Sequence, residues 1–243
     1  MTSFHRLFSA AGLLGISGLV FGAGPSCQAT SPATLTPVIE LYTSEGCSSC
    51  PPADRWLSTL RGSAGSGKAV VQAFHVGYWD YIGWVDRFAS PAHTERQKQI
   101  AGRNGLANIY TPQLVRNGQD WHDDGRVPVS ATEPARASII LQRSPDDAFE
   151  ASVSPVDASA RWSAYWSVTE SGHQSKVKAG ENAGELLRHD FVVRQYVPAG
   201  DYQGNAKLVF HAIPGEPEHA RQVNLVVFDK RSGKPLQALS VGC

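Results

Sequence analysis

The segment Gly46-Cys47-Ser48-Ser49-Cys50-Pro51-Pro52 places two thiols three positions apart. A pair at that spacing can close into a small disulfide ring. Only a thiolate attacks a disulfide, and a free thiol has a pKa of about 8.5. A helix N-terminus lowers that value through its unpaired N–H groups and its dipole. Val38-Ile39-Glu40-Leu41-Tyr42-Thr43 before the motif reads as a buried strand. Pro51 to Leu60 after it reads as a helix: prolines suit a first turn, and Trp56, Leu57 and Leu60 share a face. Cys47 is therefore expected at the more exposed position, as nucleophile. Cys50, one turn further in, is expected to resolve the mixed disulfide. Ser48 and Ser49 can tune the sulfurs through hydrogen bonds.

Other chemistries compete for the same pair. Half of a zinc site would need further ligands, but there is no second Cys-x-x-Cys and the eight histidines are scattered. Haem attachment needs His directly after the second cysteine, where Pro51 stands. A purely structural disulfide stays open. No resident metal or other cofactor is expected.

Positioning follows from the elements. Ala69 to Val76 reads as a second strand, residues 91–101 as a helix, and Asn117-Gly118 as a hairpin turn between two short strands. Ser130 with Glu133 resembles a capping box, which predicts a helix through about Leu141. The order is strand, helix, strand, helix, strand, strand, helix. A helical crossover makes the first two strands parallel. Their C-terminal ends, and the start of the antiparallel third strand, then share one sheet edge. That edge gathers Cys47, the loop after His75, and Thr111-Pro112, where thioredoxin-like proteins carry a cis peptide exposing a backbone for substrate. The loop holds Tyr78, Trp79, Tyr81 and Trp84. It reads equally as a binding wall, with Tyr78 and Trp79 as substrate contacts, or as a small core. His75 and Asp80 are candidates for tuning the thiol or moving protons. Asp54 reads as a solvated or dipole-favoured carboxylate rather than a catalytic acid.

Beyond Pro145 the texture changes. Ala148–Val153, Ala160–Thr169, Leu186–Val197, Lys207–Ile213, Arg221–Phe228 and Leu236–Val241 read as strands. Trp162, Ala164, Trp166 and Val168 alternate as in a half-buried strand. The expected architecture is an α/β thioredoxin-like domain (βαβαββα, mixed sheet) over 38–144, then an antiparallel β-sandwich-like domain over 145–243. Before them, Arg6 and the apolar run Leu7 to Phe21 read as a signal peptide over residues 1–29, followed by a linker over 30–37. Export would place the four cysteines where disulfides persist. Cys27 and Cys243 can pair as a staple or be unrelated, or Cys27 can leave with the signal. The chain has 22 basic and 22 acidic residues and no long basic run, so nucleic-acid binding has no electrostatic support.

Three blocks carry a family resemblance. Glu40 to Asp54, then Tyr78 to Trp84 with Phe88-Ala89-Ser90-Pro91 and Thr94 to Gln97, then Tyr110-Thr111-Pro112-Gln113 with Asn117-Gly118, are similar to the DUF1223 family. The resemblance implies a secreted bacterial protein in the thioredoxin-like superfamily, with a cysteine pair and no settled reaction. The leading expectation is an exported, secreted or periplasmic thiol–disulfide oxidoreductase using Cys47 and Cys50. Its partners would be protein thiols or a small disulfide and a redox partner, with no nucleic acid and no membrane after signal cleavage. The alternatives are a non-enzymatic binding module braced by a structural disulfide, and a copper- or zinc-handling protein using the two thiolates.

Overall fold

The computed structural model describes residues 1, 27–122 and 132–242. Most of the apolar leader, Ser130 of the expected capping box, and Cys243 lie outside these. Gln28–Thr30 (β1) already pairs antiparallel within a sheet, so regular structure straddles the expected end of the signal segment. Cys27, just before it, is disulfide-bonded.

The part that positions the cysteines runs Val38–Thr43 (β2), Cys50–Ser58 (α1), Arg61–Gly65 (α2), Val70–His75 (β3), Pro91–Arg103 (α3), Gln113–Arg116 (β4) and Gln119–Asp120 (β5). β2 and β3 are parallel, β4 is antiparallel to β2, and the local order is β3-β2-β4-β5. Every residue of β2 and β3 is buried, because helices cover both faces. Ile39, Leu41, Val71 and Ala73 pack with Leu57 and Leu60 on one side. Tyr42 and Phe74 pack with Ile100 of α3 on the other. Pro51 and Pro52 occupy the first turn of α1, and Ser90 Oγ caps α3 by accepting from Ala92 N at 3.3 Å. Asn117 and Gly118 join β4 to β5 with positive φ at both positions, as a tight two-residue hairpin requires.

Among the described residues, no helix closes this unit. Ala137–Arg143 is a strand, β6, in which Ala137, Ile139 and Leu141 are buried and Ser138 and Ile140 exposed. That period of two is a strand's, and it overrides the apparent cap before it. β6 pairs with Phe149–Pro155 (β7), and β7 with Ala206–Phe210 (β12), giving the sheet β1-β6-β7-β12. Arg161–Ser171 (β8), Val192–Gln203 (β11), Ala220–Asp229 (β13) and Pro235–Val241 (β14) extend the first sheet instead. Its full order is β14-β13-β8-β11-β3-β2-β4-β5. The junction is one parallel pairing, Val192 to Ala73. Strands from both sides of residue 145 thus share one sheet, and residue 145 marks no break between separate sheets.

The smaller sheet packs on β8, β13 and β14, with Trp162, Trp166, Ile139, Leu141, Leu225 and Leu239 in the core between. β8 is buried on both faces along most of its length, not half-buried as its alternation suggests. Its other face presents Tyr165 to Val38 and Val70. The expected strand Leu186–Val197 is broken at Phe191, where φ is 58°. It becomes Leu186–His189 (β10) and the start of β11. β10 pairs with a strand the sequence reading missed, His173–Lys176 (β9), as a separate two-stranded hairpin. The described chain is mostly β-strand in mixed sheets with few helices.

A buried ion pair of the first half is joined by a tyrosine of the second. Arg96 on α3 grips Glu40 on β2 with Nη2–Oε1 at 2.6 Å and Nε–Oε2 at 3.1 Å. Tyr165 of β8 donates to Glu40 Oε1 at 3.2 Å and lies under the Arg96 guanidinium at 4.0 Å.

Candidate functional site

Cys47 and Cys50 form a disulfide with a Cα–Cα separation of 5.4 Å. Cys47 N donates to Ser44 O and Cys50 N to Cys47 O, each at 3.2 Å, so the bond closes a tight turn entering α1. Ser49 Oγ lies 3.3 Å from Cys47 Sγ. Ser48 is exposed and makes no side-chain contact to sulfur among the described residues; its backbone N–H donates to Glu181 Oε2 at 3.0 Å.

The sheet brings the expected segments to one edge. Tyr42 of β2 registers with Gln113 of β4, which sets Thr111–Pro112 beside the chain leading to Cys47. The Thr111–Pro112 peptide is cis. Trp79 Nε1 donates to Thr111 Oγ1 at 2.7 Å, joining the aromatic loop to that segment. Gly46 lets the cysteine loop approach this one closely: a Cβ there would fall 3.0 Å from Trp79 Cβ. The loop is part wall and part core. Tyr81 stands out at 82% exposure, whereas Tyr78 packs against the core with its hydroxyl buried. Burial raises the Tyr78 pKa.

Two expectations need correction. Cys47 is not the exposed member of the pair: it is 1% exposed and Cys50 0%. The cause is the turn between β9 and β10. Asn182 Nδ2 donates to Glu45 O at 2.9 Å and Cys47 O at 3.0 Å, and Glu181 takes the Ser48 N–H. Gly180 seats against Ile82 and Trp84 of the aromatic loop. Second, Asp54 is not solvated. It is buried on α1 and accepts from Thr43 Oγ1 at 3.0 Å. Burial raises its pKa, against opposing pulls from His189 and His75.

His75 and Asp80 sit behind the cysteine loop. His75 is fully buried, with Nδ1 2.7 Å from Asp86 Oδ2. The same Asp86 oxygen accepts from Glu45 N at 2.9 Å. Burial alone would depress the His75 pKa, but Asp86, with Asp54 and Glu45, raises it. Asp80 Oδ1 accepts from Asp86 N at 3.2 Å, and partial burial raises its pKa. Glu45, buried between Cys47 and this group, accepts from Trp84 Nε1 at 2.7 Å. Sequence reasoning missed Glu45, Asp86, Asn182 and His189. The last two lie more than 130 residues from the cysteines, and nothing local flags them.

One other cluster among the described residues has metal-ligand character. His173, Glu216 and His219 hold ligand atoms within 4.8 Å of one another. Arg194 already supplies the positive charge there, 3.3 Å from His173 Nε2 and 3.6 Å from Glu216.

The site and sheet define a β-rich protein carrying a covered disulfide at a strand-to-helix turn. The chain belongs to the DUF1223 family, described as "protein of unknown function", whose model matches residues 38–229. No curated protein matches the chain. Two solved structures resemble it in fold. The protein AGR_C_4864 from Agrobacterium tumefaciens is 24% identical with a TM-score of 0.64, over 87% of this chain and 96% of that one. HBP35 of Porphyromonas gingivalis is 12% identical with a TM-score of 0.55, over 86% of this chain and 76% of that one.

Proposed function

We propose that this is an exported thiol–disulfide oxidoreductase, built on a thioredoxin-like core and working in a secreted or periplasmic compartment. The observation that carries the reading is the Cys47–Cys50 disulfide at the entry to α1, beside Thr111–Pro112. The β3-β2-β4-β5 order with helices on both faces supports the thioredoxin-like assignment, with no closing helix among the described residues. Attack of a substrate thiolate on Cys47 Sγ would break the bond and leave the electron pair on Cys50 Sγ. A second thiolate, or Cys50 in the reverse direction, completes the exchange. Export rests on the apolar leader and on a disulfide that persists in oxidising compartments.

The burial of Cys47 sets a condition on this chemistry. The turn at 180–182 must lift for a substrate to reach sulfur, because it bonds the Cys47 carbonyl and the Ser48 amide. The same burial favours a second reading, in which the disulfide is structural and only braces the loop. The reduction potential of the Cys47–Cys50 couple separates them. An oxidoreductase equilibrates with glutathione buffers in the range of about −120 to −270 mV spanned by known exchangers. A structural bond, below about −300 mV, stays oxidised in those buffers.

A further inference from the structure

His173, Glu216 and His219 come from two places in the chain that the fold joins. His173 opens β9, and the other two lie in the loop before β13. His219 N donates to Glu216 O at 3.0 Å, a turn that keeps these two side chains together. The centroids of the His173 and His219 rings are 3.7 Å apart. Each of the three residues offers a ligand atom, and these atoms lie within 4.8 Å of one another.

Hydrogen bonds sort the nitrogens of the two rings. His173 Nε2 is 3.1 Å from Glu170 Oε2, and His219 Nδ1 is 3.2 Å from Ser171 O. A carboxylate and a carbonyl oxygen only accept, so each of these nitrogens carries a proton. In neutral rings the lone pairs then fall on His173 Nδ1 and His219 Nε2. A ring held by a carboxylate or backbone carbonyl at one nitrogen, with a lone pair at the other, is how metal-binding histidines are set. His219 Nε2 lies 3.5 Å from Glu216 Oε2. Neighbouring ligand atoms around a tetrahedral zinc ion, each about 2.0–2.1 Å from the metal, stand roughly 3.3 Å apart.

The cluster is both fixed and reachable. His173 is 1% exposed, held between the His219 ring and that of Phe88, 4.9 Å away. The His219 and Glu216 side chains are 15% and 48% exposed, so an ion can enter from their side. Arg194 stays with the protonated nitrogen. Its Nη1 donates to Glu170 Oε2 at 3.1 Å and lies 3.3 Å from His173 Nε2. Its Nη2 is 3.6 Å from Glu216 Oε1, which leaves Oε2 beside His219 Nε2 to bind. Arg194 and Arg87 both act on His173, and their charge weakens cation binding without blocking it.

We propose that His173, His219 and Glu216 bind a zinc ion, with water in the fourth position. Two imidazoles and a carboxylate suit Zn²⁺, whereas magnesium and calcium take oxygen ligands. The ion ties the loop before β13 to the start of the β9–β10 hairpin, whose turn covers Cys47. The site stands apart from the cysteine pair and does not depend on the oxidoreductase reading.

The test is titration of zinc chloride into untagged full-length protein near neutral pH, followed by calorimetry, with Cys47 and Cys50 oxidised. The intact disulfide keeps those two sulfurs from binding metal. Wild type is expected to take one ion per chain and to keep it through dialysis. Removing an outer-shell partner of a metal site weakens binding about 10–100-fold. His219→Gln and Glu216→Gln each remove a ligand from a partly exposed position, and should weaken binding by at least the upper end of that range. His173→Gln should do the same, and if it fails to fold the other two carry the test. His211→Gln, at an exposed position outside the cluster, should bind as wild type does. Zinc should raise the thermal midpoint of wild type and not that of His219→Gln. A wild-type protein that takes up no zinc at millimolar concentration overturns the proposal. Folded His219→Gln and Glu216→Gln proteins that bind as tightly as wild type also overturn it, since the ion then sits elsewhere. Neither result bears on disulfide exchange at Cys47.

Discussion

Asn182 Nδ2 holds the backbone carbonyl of Cys47 at 3.0 Å while also holding that of Glu45, so one side chain from the β9–β10 turn latches the cysteine loop. The latch and Glu181 keep the pair out of solvent. Removing one neutral hydrogen-bonding group costs about 0.5–1.5 kcal/mol, and Asn182 supplies two such bonds. Asn182→Ala is therefore expected to raise the population of the open loop about tenfold. The measurement is the rate of disulfide reduction by a small phosphine, read by alkylation of the released thiols. An unchanged rate would mean that access does not run through this turn.

The Glu40–Arg96 pair predicts a different kind of loss. Arg96 is 8% exposed and Glu40 2%, and Tyr42 and Tyr165 complete the carboxylate's hydrogen bonds. Removing one partner strands the other charge away from water, at about 3–5 kcal/mol. Arg96→Met should lower stability by that amount in urea unfolding, whereas Arg96→Met with Glu40→Leu should recover much of it. Because Tyr165 belongs to β8, the single substitution should unfold both halves in one transition.

Stability should depend on pH through the buried histidines. The folded His75 pKa lies above its ordinary 6.5, because Asp86 and its neighbours outweigh burial. Its contribution is full below 6.5 and is lost as pH rises through the raised folded value. Asp86 lies below 3.8, held down by His75 against burial, so its contribution is present above 3.8 and lost as pH falls through the depressed value. His93 works the other way. Burial pushes it down to about 4, so between 6.5 and 4 the unfolded chain takes a proton that the folded chain refuses. Urea midpoints across pH 4–9 should thus fall on the alkaline side in wild type. His75→Asn should flatten that fall, and His93→Gln should flatten the acid side between pH 4 and 6.5.

The elements nearest the cysteines were legible because each carries a local signal: continuous apolar runs at Val38–Thr43 and Val70–His75, prolines after Cys50, and Asn117-Gly118 at a hairpin. The helix expected before Leu141 rests on a capping pattern at Ser130–Glu133, but the alternation of Ala137, Ile139 and Leu141 makes the segment a strand. The joining of the halves was not legible at all. It depends on the pairing of Val192 with Ala73, 119 positions away, and pairing across such a distance leaves no periodicity in either strand. The same holds for the site. Cys47 reads as exposed when only its own helix is considered, and Asn182, which covers it, sits in an unremarkable turn. Asp54 reads as a solvated or dipole-favoured carboxylate from its helix alone, because only the neighbouring strand and β10 make its position interior.

The joint between the halves offers a last prediction, at Gly118. Its φ is 75°, and an added Cβ would lie 2.7 Å from the backbone oxygen of Gly233, in the turn between β13 and β14. A side chain here meets two penalties at once: a left-handed backbone and a collision with main chain, which cannot swing aside as a flexible side chain could. Asn104 Nδ2 also holds Gly118 O at 3.0 Å, so the turn cannot easily back away. Gly118→Ala should cost about 1–3 kcal/mol from backbone strain, with the collision added. Gly102, in the last turns of α3, is the matching control, since a Cβ there meets nothing within 4 Å. Gly102→Ala should stabilise by about 0.5–1 kcal/mol through helix propensity. Thermal unfolding of the two variants should move in opposite directions. A Gly118→Ala protein as stable as wild type would show that the two turns do not press on each other in solution.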